Sequence, residues 1–195
     1  MATAGTTTTE STTTRGAVDP NRFRHVLGHF CTGVAVIATV EGDTPAGFAC
    51  QSFSALSLDP PLVLFCPSRA SRAWAAIERV GRFTVNLLSS EQREVSAVFG
   101  RRGENKFACT GWSLSPGRGP VLDGVLAWID CVVADVLDGG DHHIVVGRVT
   151  DLDTPGPNRP LLFYRGAYAE TAEPLDDGVR RWAVEPFFDR PDGWF

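Results

Sequence analysis

Lysine is almost missing from this sequence of 195 residues: Lys106 is the single example, and arginine supplies the rest of the positive charge. Acidic residues outnumber basic ones by 23 to 18, and the formal net charge is −5 at pH 7. A protein that binds nucleic acid neutralises phosphates with a basic face. The charge balance therefore argues against nucleic acid as the main partner.

Long apolar runs and the common nucleotide-binding motifs are missing too. No run approaches the roughly 20 apolar residues that span a bilayer, so we expect no membrane partner. No GxGxxG follows a predicted strand and no GxxxxGK[ST] occurs, so a nucleotide would bind without a Rossmann fold or a P-loop. Residues 1–17 are rich in threonine, lack the apolar region of a signal peptide, and are interpreted as a flexible arm.

Cysteine pairs at redox or zinc-binding spacing are also missing. No CxxC occurs among the scattered Cys31, Cys50, Cys66, Cys109 and Cys131. An odd, dispersed set within apolar or strand-like runs is typical of reduced, buried thiols in a cytoplasmic protein. Histidines occur as His25/His29 and His142/His143, without cysteine at zinc-like spacing, so we predict no metal site. His25 and His29 have i, i+4 helical spacing, which could place both on one metal ion. A surface or interface position for these two histidines is favoured over a metal site.

What is present is a series of short strand-like runs separated by turn signals, with few helices between them. A helix is predicted from Pro20 to about Phe30, with Phe23, Val26, Leu27 and Phe30 on one face. Two further helices are predicted, one capped by Ser71 and one running from Ser89 or Ser90 to about Phe99. Predicted strands are Gly33–Glu41, a run from Ala46, Pro61–Cys66, Arg82–Leu88, Leu126–Leu137, His142–Asp151 and Leu161–Arg165.

The two longest strand-like runs are joined by Asp138-Gly139-Gly140-Asp141, which predicts a hairpin. Residues 111–120 are rich in glycine and proline and predict a loop. This pattern favours a mainly β, antiparallel barrel with short flanking helices over a parallel α/β sheet. We expect one domain over residues 18–169, followed by an acidic, aromatic tail over residues 170–195.

Two polar clusters could bind a phosphorylated ligand. Hydroxyl groups and backbone amides of 50–57 could donate hydrogen bonds to a carbonyl-rich ligand, although an ordinary turn has the same composition. The segment CPSRASR, 66–72, leads from a strand into a helix N-terminus, which favours an anion held by Ser68, Ser71 and either Arg72 or Arg69. A plain N-cap beside two solvated arginines is the alternative.

Two smaller clusters are weaker. Lys106, next to Phe107, could act as a point charge toward an anion, or be exposed. His142 could contact a nicotinamide carboxamide or a phosphate, with Asp141 fixing its tautomer, or be an exposed turn residue. No Ser/His/Asp or Cys/His catalytic pairing is evident, and nothing indicates that the Cys50 thiol is activated.

The order of these segments carries more information than any one of them. FxxxLGxFxTGVxVI from Phe23, GFACQSFSALSLDPPLVLFCPSRASR, FTVNLL, KF, GGDHHIVVG and PLLFYRG together resemble the flavin reductase family, whose short-chain reductases partner flavin-dependent monooxygenases. The resemblance covers roughly residues 19–168 and is most specific over 46–72. It implies a homodimeric, FMN-binding split β-barrel of Greek-key topology with FMN or FAD near the dimer interface. The steroid-ring and phenol hydroxylase reductases are most similar, and GFACQSF and GGDHHIVVG suggest the steroid-type subgroup.

The same resemblance implies roles for individual residues. Thr32, Gly33 and Gln51–Ser54 would line the flavin ring and ribityl chain, and His142 would be the catalytic residue that contacts the nicotinamide. The remaining implied cofactor contacts are Cys50, the phosphate-binding Ser68, Ser71, Arg72 and Lys106, then Phe107, and at the pocket edge Tyr164, Arg165 and Gly166.

Hydride transfer from the nicotinamide of NADH or NADPH needs no acid–base motif, because the flavin carries the chemistry itself. The choice between FMN and FAD and between NADH and NADPH stays open. A non-catalytic flavin-binding or electron-carrier protein on the same barrel is the main alternative. An oxidase related to the pyridoxamine-phosphate group is a second one, against which the GFACQSFSALSLDPP segment argues.

Overall fold

The computed structural model describes residues 18–103, 105–155 and 158–171. The predicted arm over residues 1–17, and the predicted tail beyond residue 171, lie outside the described residues. Within the described ranges, no helix is both long enough and apolar enough to cross a membrane.

Three α-helices flank the sheets: α1 (Pro20–Leu27), α2 (Arg72–Val80) and α3 (Arg93–Gly100). α1 begins where predicted, because the Asp19 carboxylate accepts a hydrogen bond from the Arg22 amide at 2.8 Å and proline occupies the first turn. It ends three residues earlier than predicted. α2 begins at its predicted cap, Ser71, and ends at Gly81, whose φ of 75° is left-handed.

The described strands are all paired antiparallel, which confirms the predicted mainly β, antiparallel fold. They are β1 (Thr32–Gly33), β2 (Ala35–Glu41), β3 (Thr44–Cys50), β4 (Ser54–Leu58), β5 (Pro61–Phe65), β6 (Arg82–Leu87), β7 (Trp112–Leu114), β8 (Pro120–Leu122), β9 (Ala127–Gly139), β10 (His142–Asp153), β11 (Leu162–Tyr164) and β12 (Ala167–Ala169). The large sheet has the order β3-β2-β6-β9-β10-β5-β4, beside a three-stranded sheet β1-β11-β12 and the hairpin β7-β8.

The predicted hairpin of the two longest runs is confirmed, with His142 paired to Gly139 across the turn. The loop predicted over residues 111–120 is only partly correct, because β7 and the start of β8 lie within it. β12 was not predicted either. These strands have three residues each, too few for an alternating apolar pattern to be recognised.

The core has two apolar clusters, and β2 separates them. Consecutive residues 34–38 are all buried. Ala35 and Ile37 pack with Phe65, Trp74 and Phe83 in one cluster, whereas Val34, Val36 and Ala38 belong to the other cluster, which includes Phe99 and Leu161. Successive side chains of a strand point to opposite faces. β2 is therefore covered on both faces, by α2 on the first side and α3 on the second.

The apolar face of α1 is exposed in the single chain. None of the residues of α1 is buried, and Phe23, Val26, Leu27 and Phe30 are between 54 and 77 % exposed. The five cysteines are free, as expected, but only Cys50 and Cys131 are buried; Cys31 and Cys109 are exposed and Cys66 is partly exposed. Apolar composition alone does not say which elements cover a residue.

Gly147 of β10 tests the packing between β10 and β6. A Cβ at this position would lie 2.4 Å from Phe83 Cζ and 3.3 Å from Cys131 Cβ. We expect Gly147→Ala to lower the free energy of unfolding by about 1–3 kcal/mol through overpacking, measured by urea denaturation. Gly103→Ala is the control, because a Cβ there meets nothing within 4 Å. Equal stability of the two variants would contradict this account of the core.

Candidate functional site

A cavity of about 500 Å³, here the first cavity, opens where the chain enters β2 and leaves β3. Its wall includes Thr32, Gly33 and the segment Gln51–Ser54, which the sequence placed around the flavin ring. The register of the sheet brings them together, because Ala35 at the start of β2 pairs with Cys50 at the end of β3. Segments 18 residues apart therefore diverge from the sheet side by side and enclose the space between them.

The first cavity offers both room and an unsatisfied polar atom to a planar, heteroatom-rich ring. Thr32 Oγ1 is buried without a hydrogen-bond partner. Burying this oxygen costs free energy unless a ligand or a water molecule supplies the missing hydrogen bond. A Cβ added to Gly33 would meet nothing within 4 Å. Apolar side chains form much of the remaining wall: Phe30, Leu87, Leu88, Leu126 and Leu161. This mixture suits a flavin ring, which presents flat apolar faces and carbonyl and nitrogen edges.

Ser52 fastens the first cavity to the loop that precedes α2. Its hydroxyl accepts a hydrogen bond from the Cys66 amide at 3.0 Å and donates to the Cys66 carbonyl at 3.3 Å. The Cys50 thiol lies 3.3 Å from the same hydroxyl, and burial raises the pKa of Cys50. Because only a thiolate is strongly nucleophilic, this cysteine is not an activated nucleophile.

The loop over residues 67–71 turns into the N-terminus of α2. The Ser71 hydroxyl accepts a hydrogen bond from the Trp74 amide at 3.2 Å, and the Ser71 amide donates to the Ser68 carbonyl at 2.9 Å. The Ser68 hydroxyl accepts from the Ala70 amide at 3.3 Å. Arg72 is the first residue of the helix. Helix N-termini favour anions, so Ser68, Ser71 and Arg72 stand where the sequence predicted a phosphate.

Lys106 lies near Arg72 although 34 residues separate them. The Lys106 ammonium donates hydrogen bonds to the Phe99 carbonyl at 2.9 Å and the Gly47 carbonyl at 3.5 Å. Burial, and then the charge of Arg72, lower the pKa of Lys106. An anion bound beside Lys106 would relieve the repulsion that Arg72 exerts on the Lys106 charge.

A second cavity, of about 520 Å³, shares Val34 and Gln51 with the first. Cys50, Ser96 and Arg101 are in its wall, and the Tyr168 hydroxyl donates to Ser96 Oγ at 3.0 Å. Cys50 therefore contacts this second space rather than the first cavity. The two cavities adjoin at Gln51, where a ligand longer than a ring could pass from one to the other.

His142 lies at the tip of the β9–β10 hairpin, against the loop before α2. It forms an isolated antiparallel bridge with Ser68, and its Nδ1 is 2.7 Å from the Asp141 carboxylate. The hydrogen bond from His142 lowers the pKa of Asp141, so the partner of this imidazole is a carboxylate at neutral pH. The half-exposed His142 ring is thus free to meet a ligand that approaches the loop.

Other predicted residues lie elsewhere. Phe107 is buried in the second core cluster, where its ring packs on Phe99 and Trp112. Tyr164, Arg165 and Gly166 form the turn between β11 and β12, beside the end of α1. The Tyr164 ring packs edge-on against His29, and the Arg165 amide donates to the Gly28 carbonyl at 2.9 Å. These four residues are outside the described walls of both cavities.

Sequence reasoning missed several residues of the first cavity. Phe30, Cys31, Leu126 and Pro160 line it, yet nothing in their types or spacing marks a site. Apolar residues read from sequence are assigned to the core. The one available signal was the position of Cys31 directly before Thr32-Gly33.

Comparisons with known proteins agree with this geometry. A family model described as a flavin reductase like domain matches residues 27–172. The reductase subunit HsaB of a flavin-dependent monooxygenase from Rhodococcus jostii is 58 % identical over 152 residues, which are 78 % of this chain and 78 % of that protein. A flavin reductase from Pseudomonas putida is 44 % identical over 155 residues, covering 79 % of this chain and 91 % of that protein.

Solved structures show the same fold. A homologue of nitrilotriacetate monooxygenase component B from Mycobacterium thermoresistibile matches with a TM-score of 0.78 and 53 % identity, over 86 % of this chain and 96 % of that one. The NADH:FAD oxidoreductase SgcE6 of Streptomyces globisporus, solved with NAD and FAD fragments, matches with a TM-score of 0.76 and 30 % identity, over 82 % of this chain and 99 % of that one. The chain belongs to the flavin reductase like family.

Proposed function

We propose that this protein is an NADH-dependent flavin reductase that supplies reduced flavin to a separate monooxygenase, with Thr32, Gly33 and Gln51–Ser54 around the flavin ring. The observation that carries the proposal is the first cavity itself, with its unpartnered Thr32 Oγ1 and the open space beside Gly33. Ser52 links this cavity to the loop that leads to Arg72. Ser68 in the loop over residues 67–71 pairs with His142, so the same loop also bonds to the proposed nicotinamide contact.

A flavin bound here would supply the hydride acceptor, and the nicotinamide of NADH would supply the hydride. The residues of this chain would bind both cofactors, orient them and exclude water. The Thr32 hydroxyl would meet a polar edge of the ring, and the leucines of the cavity wall would limit the access of water. Arg72 and Lys106, with the N-terminus of α2, would hold the phosphate. His142 would contact the nicotinamide through the ring nitrogen that does not face Asp141.

We also propose that the protein is a cytoplasmic homodimer. The exposed apolar side of α1 and the edge strand β4, with Leu56 and Leu58 exposed, support an interface, because contiguous apolar patches and open strand edges are normally covered. Phe30 belongs both to this exposed surface and to the wall of the first cavity. A second subunit would therefore reach the flavin site.

The name of the Rhodococcus jostii relative supports a partner monooxygenase, since that relative is a reductase subunit of one. The name of SgcE6 and that of the FMN reductase (NADH) SmoA from Agrobacterium fabrum, which is 37 % identical, support NADH as the reductant and leave FMN and FAD both possible. The segments GFACQSF and GGDHHIVVG support the narrower assignment to aromatic or steroid-type hydroxylation.

The proposed reaction is tested by following NADH oxidation at 340 nm with added FMN or FAD. We expect turnover with the wild type. In His142→Ala, the KM for NADH should be about tenfold higher, because the hydrogen bond from the imidazole to the nicotinamide is lost. The Kd for flavin should stay the same. Flavin that binds but stays oxidised under excess NADH and NADPH would establish a binding or electron-carrier protein instead.

The phosphate site is tested with a pair of ligands that differ only in the phosphate. We expect Arg72→Gln and Lys106→Gln each to weaken FMN binding by about tenfold, the usual scale of one charge-assisted hydrogen bond, measured by quenching of flavin fluorescence. Riboflavin binding should change little. An equal loss for FMN and riboflavin would show that these cations act on the fold or the ring rather than on the phosphate.

The two exposed cysteines test the location of the ring. Cys31 lines the first cavity and Cys109 does not. With flavin at about ten times its Kd, the reaction of Cys31 with a thiol reagent should slow about tenfold by occupancy, while Cys109 keeps its rate. Mass spectrometry of labelled peptides separates the two positions. If flavin leaves the labelling rate of Cys31 unchanged, the flavin ring does not bind in the first cavity.

A further inference from the structure

Arg69 joins the loop over residues 67–71 to the tip of the β9–β10 hairpin. Its Nε donates a hydrogen bond to the Gly140 carbonyl at 2.7 Å, and its Nη2 lies 2.9 Å from Asp138 Oδ1. Its backbone amide donates to the Asp141 carbonyl at 3.1 Å. One residue thus contacts three of the four residues of the hairpin turn, which lies about 70 residues further along the chain.

The hairpin tip depends on these contacts for its shape. Gly140 has a φ of +79°, and its amide donates to Asp138 Oδ1 at 2.9 Å. This bond, followed by the one from Arg69, lowers the pKa of Asp138, which is ionised at neutral pH. Arg69 is therefore the cation that faces the acceptor-rich side of the turn, made of one carboxylate and two carbonyls.

His142 follows this turn directly, and its pairing partner Ser68 directly precedes Arg69. A second bond closes the same junction, since the His143 amide donates to the Pro67 carbonyl at 2.9 Å. The position of the His142 imidazole relative to the phosphate-binding loop is consequently set at one junction, where Arg69 is the loop residue whose side chain bonds to the hairpin turn.

We propose that Arg69 is a positioning residue for the nicotinamide, which holds His142 at a fixed distance from the flavin phosphate loop. The inference rests on the proposed function, in which His142 contacts the nicotinamide. It also assigns Arg69 a different task from Arg72. Its Nε and Nη2 already bond to the hairpin, so we assign the hairpin contact to Arg69 and the phosphate contact to Arg72.

The guanidinium shape matters as well as the charge. Arg69 reaches two different acceptors through two nitrogens held in one plane, whereas a lysine ammonium is a single point on a flexible stem. Arg69→Lys should therefore resemble Arg69→Ala rather than the wild type. Arg79→Ala is the matched control, because Arg79 on α2 also makes a two-nitrogen pair at the surface, with Glu41 at 2.6 and 2.8 Å, and that pair does not involve the hairpin.

We expect both Arg69 variants to raise the KM for NADH by about tenfold, the scale of a misplaced contact group, with a smaller effect on kcat. The Kd for FMN should stay within about twofold of the wild type, a difference too small to report a lost phosphate contact. The Kd of NAD⁺, measured by calorimetry without turnover, should rise in parallel with KM. Arg79→Ala should leave all of these values unchanged.

Hydrogen–deuterium exchange gives a readout that needs no bound cofactor. The amides of the hairpin tip, His143 above all, should exchange faster in both Arg69 variants and at the wild-type rate in Arg79→Ala. A loss of FMN affinity equal to that of NAD⁺ would make Arg69 a phosphate ligand and overturn the inference. So would an unchanged NAD⁺ Kd, or faster exchange over the whole domain. If the wild type binds NAD⁺ without reducing flavin, the proposed function fails while this comparison still decides the role of Arg69.

Discussion

The burial of β2 on both faces is the constraint from which the site follows. Five consecutive residues, Val34 to Ala38, alternate between two apolar clusters, so the strand has no open face that a ligand could use. A binding space can form only where the strand begins. There the chain arrives through Thr32 and Gly33, and the register with β3 places Gln51–Ser54 alongside. The core thereby determines the location of the first cavity before any polar residue contributes.

Side-chain hydrogen bonds and one backbone bridge then connect this cavity to distant segments. The Ser52 hydroxyl bonds to Cys66, Ser68 pairs with His142, and the Arg69 guanidinium contacts the turn before His142. Each junction joins loops that the large sheet already holds near one another, since β10, β5 and β4 are neighbours in it. A reductase must keep two rings stacked at a short distance. Under the proposed function, these bonds between sheet-anchored loops would hold the sites of the two rings in place.

The sequence contained the information for those parts of the molecule that local chemistry specifies. A DGGD turn between two apolar runs determines a hairpin, and Ser71 before a helical pattern determines a cap; both are found. Thr32, Gly33 and Gln51–Ser54 could be assigned to one site because their order resembles a family, whereas the composition of the 50–57 segment alone favours an ordinary turn.

Other features depend on packing contacts with distant segments or with another chain, which local sequence patterns do not specify. The amphipathic pattern of α1 predicts an apolar face, but the pattern does not say whether that face is covered by the same chain or by another one, and it is exposed in the single chain. Phe107 follows the single lysine and was assigned to the cofactor, yet the ring packs on Phe99 and Trp112, which distant segments bring to it. Arg69 and Arg72 are indistinguishable in the sequence, and only the hairpin, about 70 residues further on, separates their tasks.

Among the described residues that line the first cavity, none forms an acid–base pair, and leucines make up much of the wall. The lowered pKa of Asp141 keeps a carboxylate beside His142, which orients the imidazole and holds a charge near it. A proton acceptor placed in such an apolar cavity would itself be desolvated and neutralised. Under the proposed function, the chain provides shape, anion binding and orientation, which are the contributions that hydride transfer between two cofactors requires of a protein.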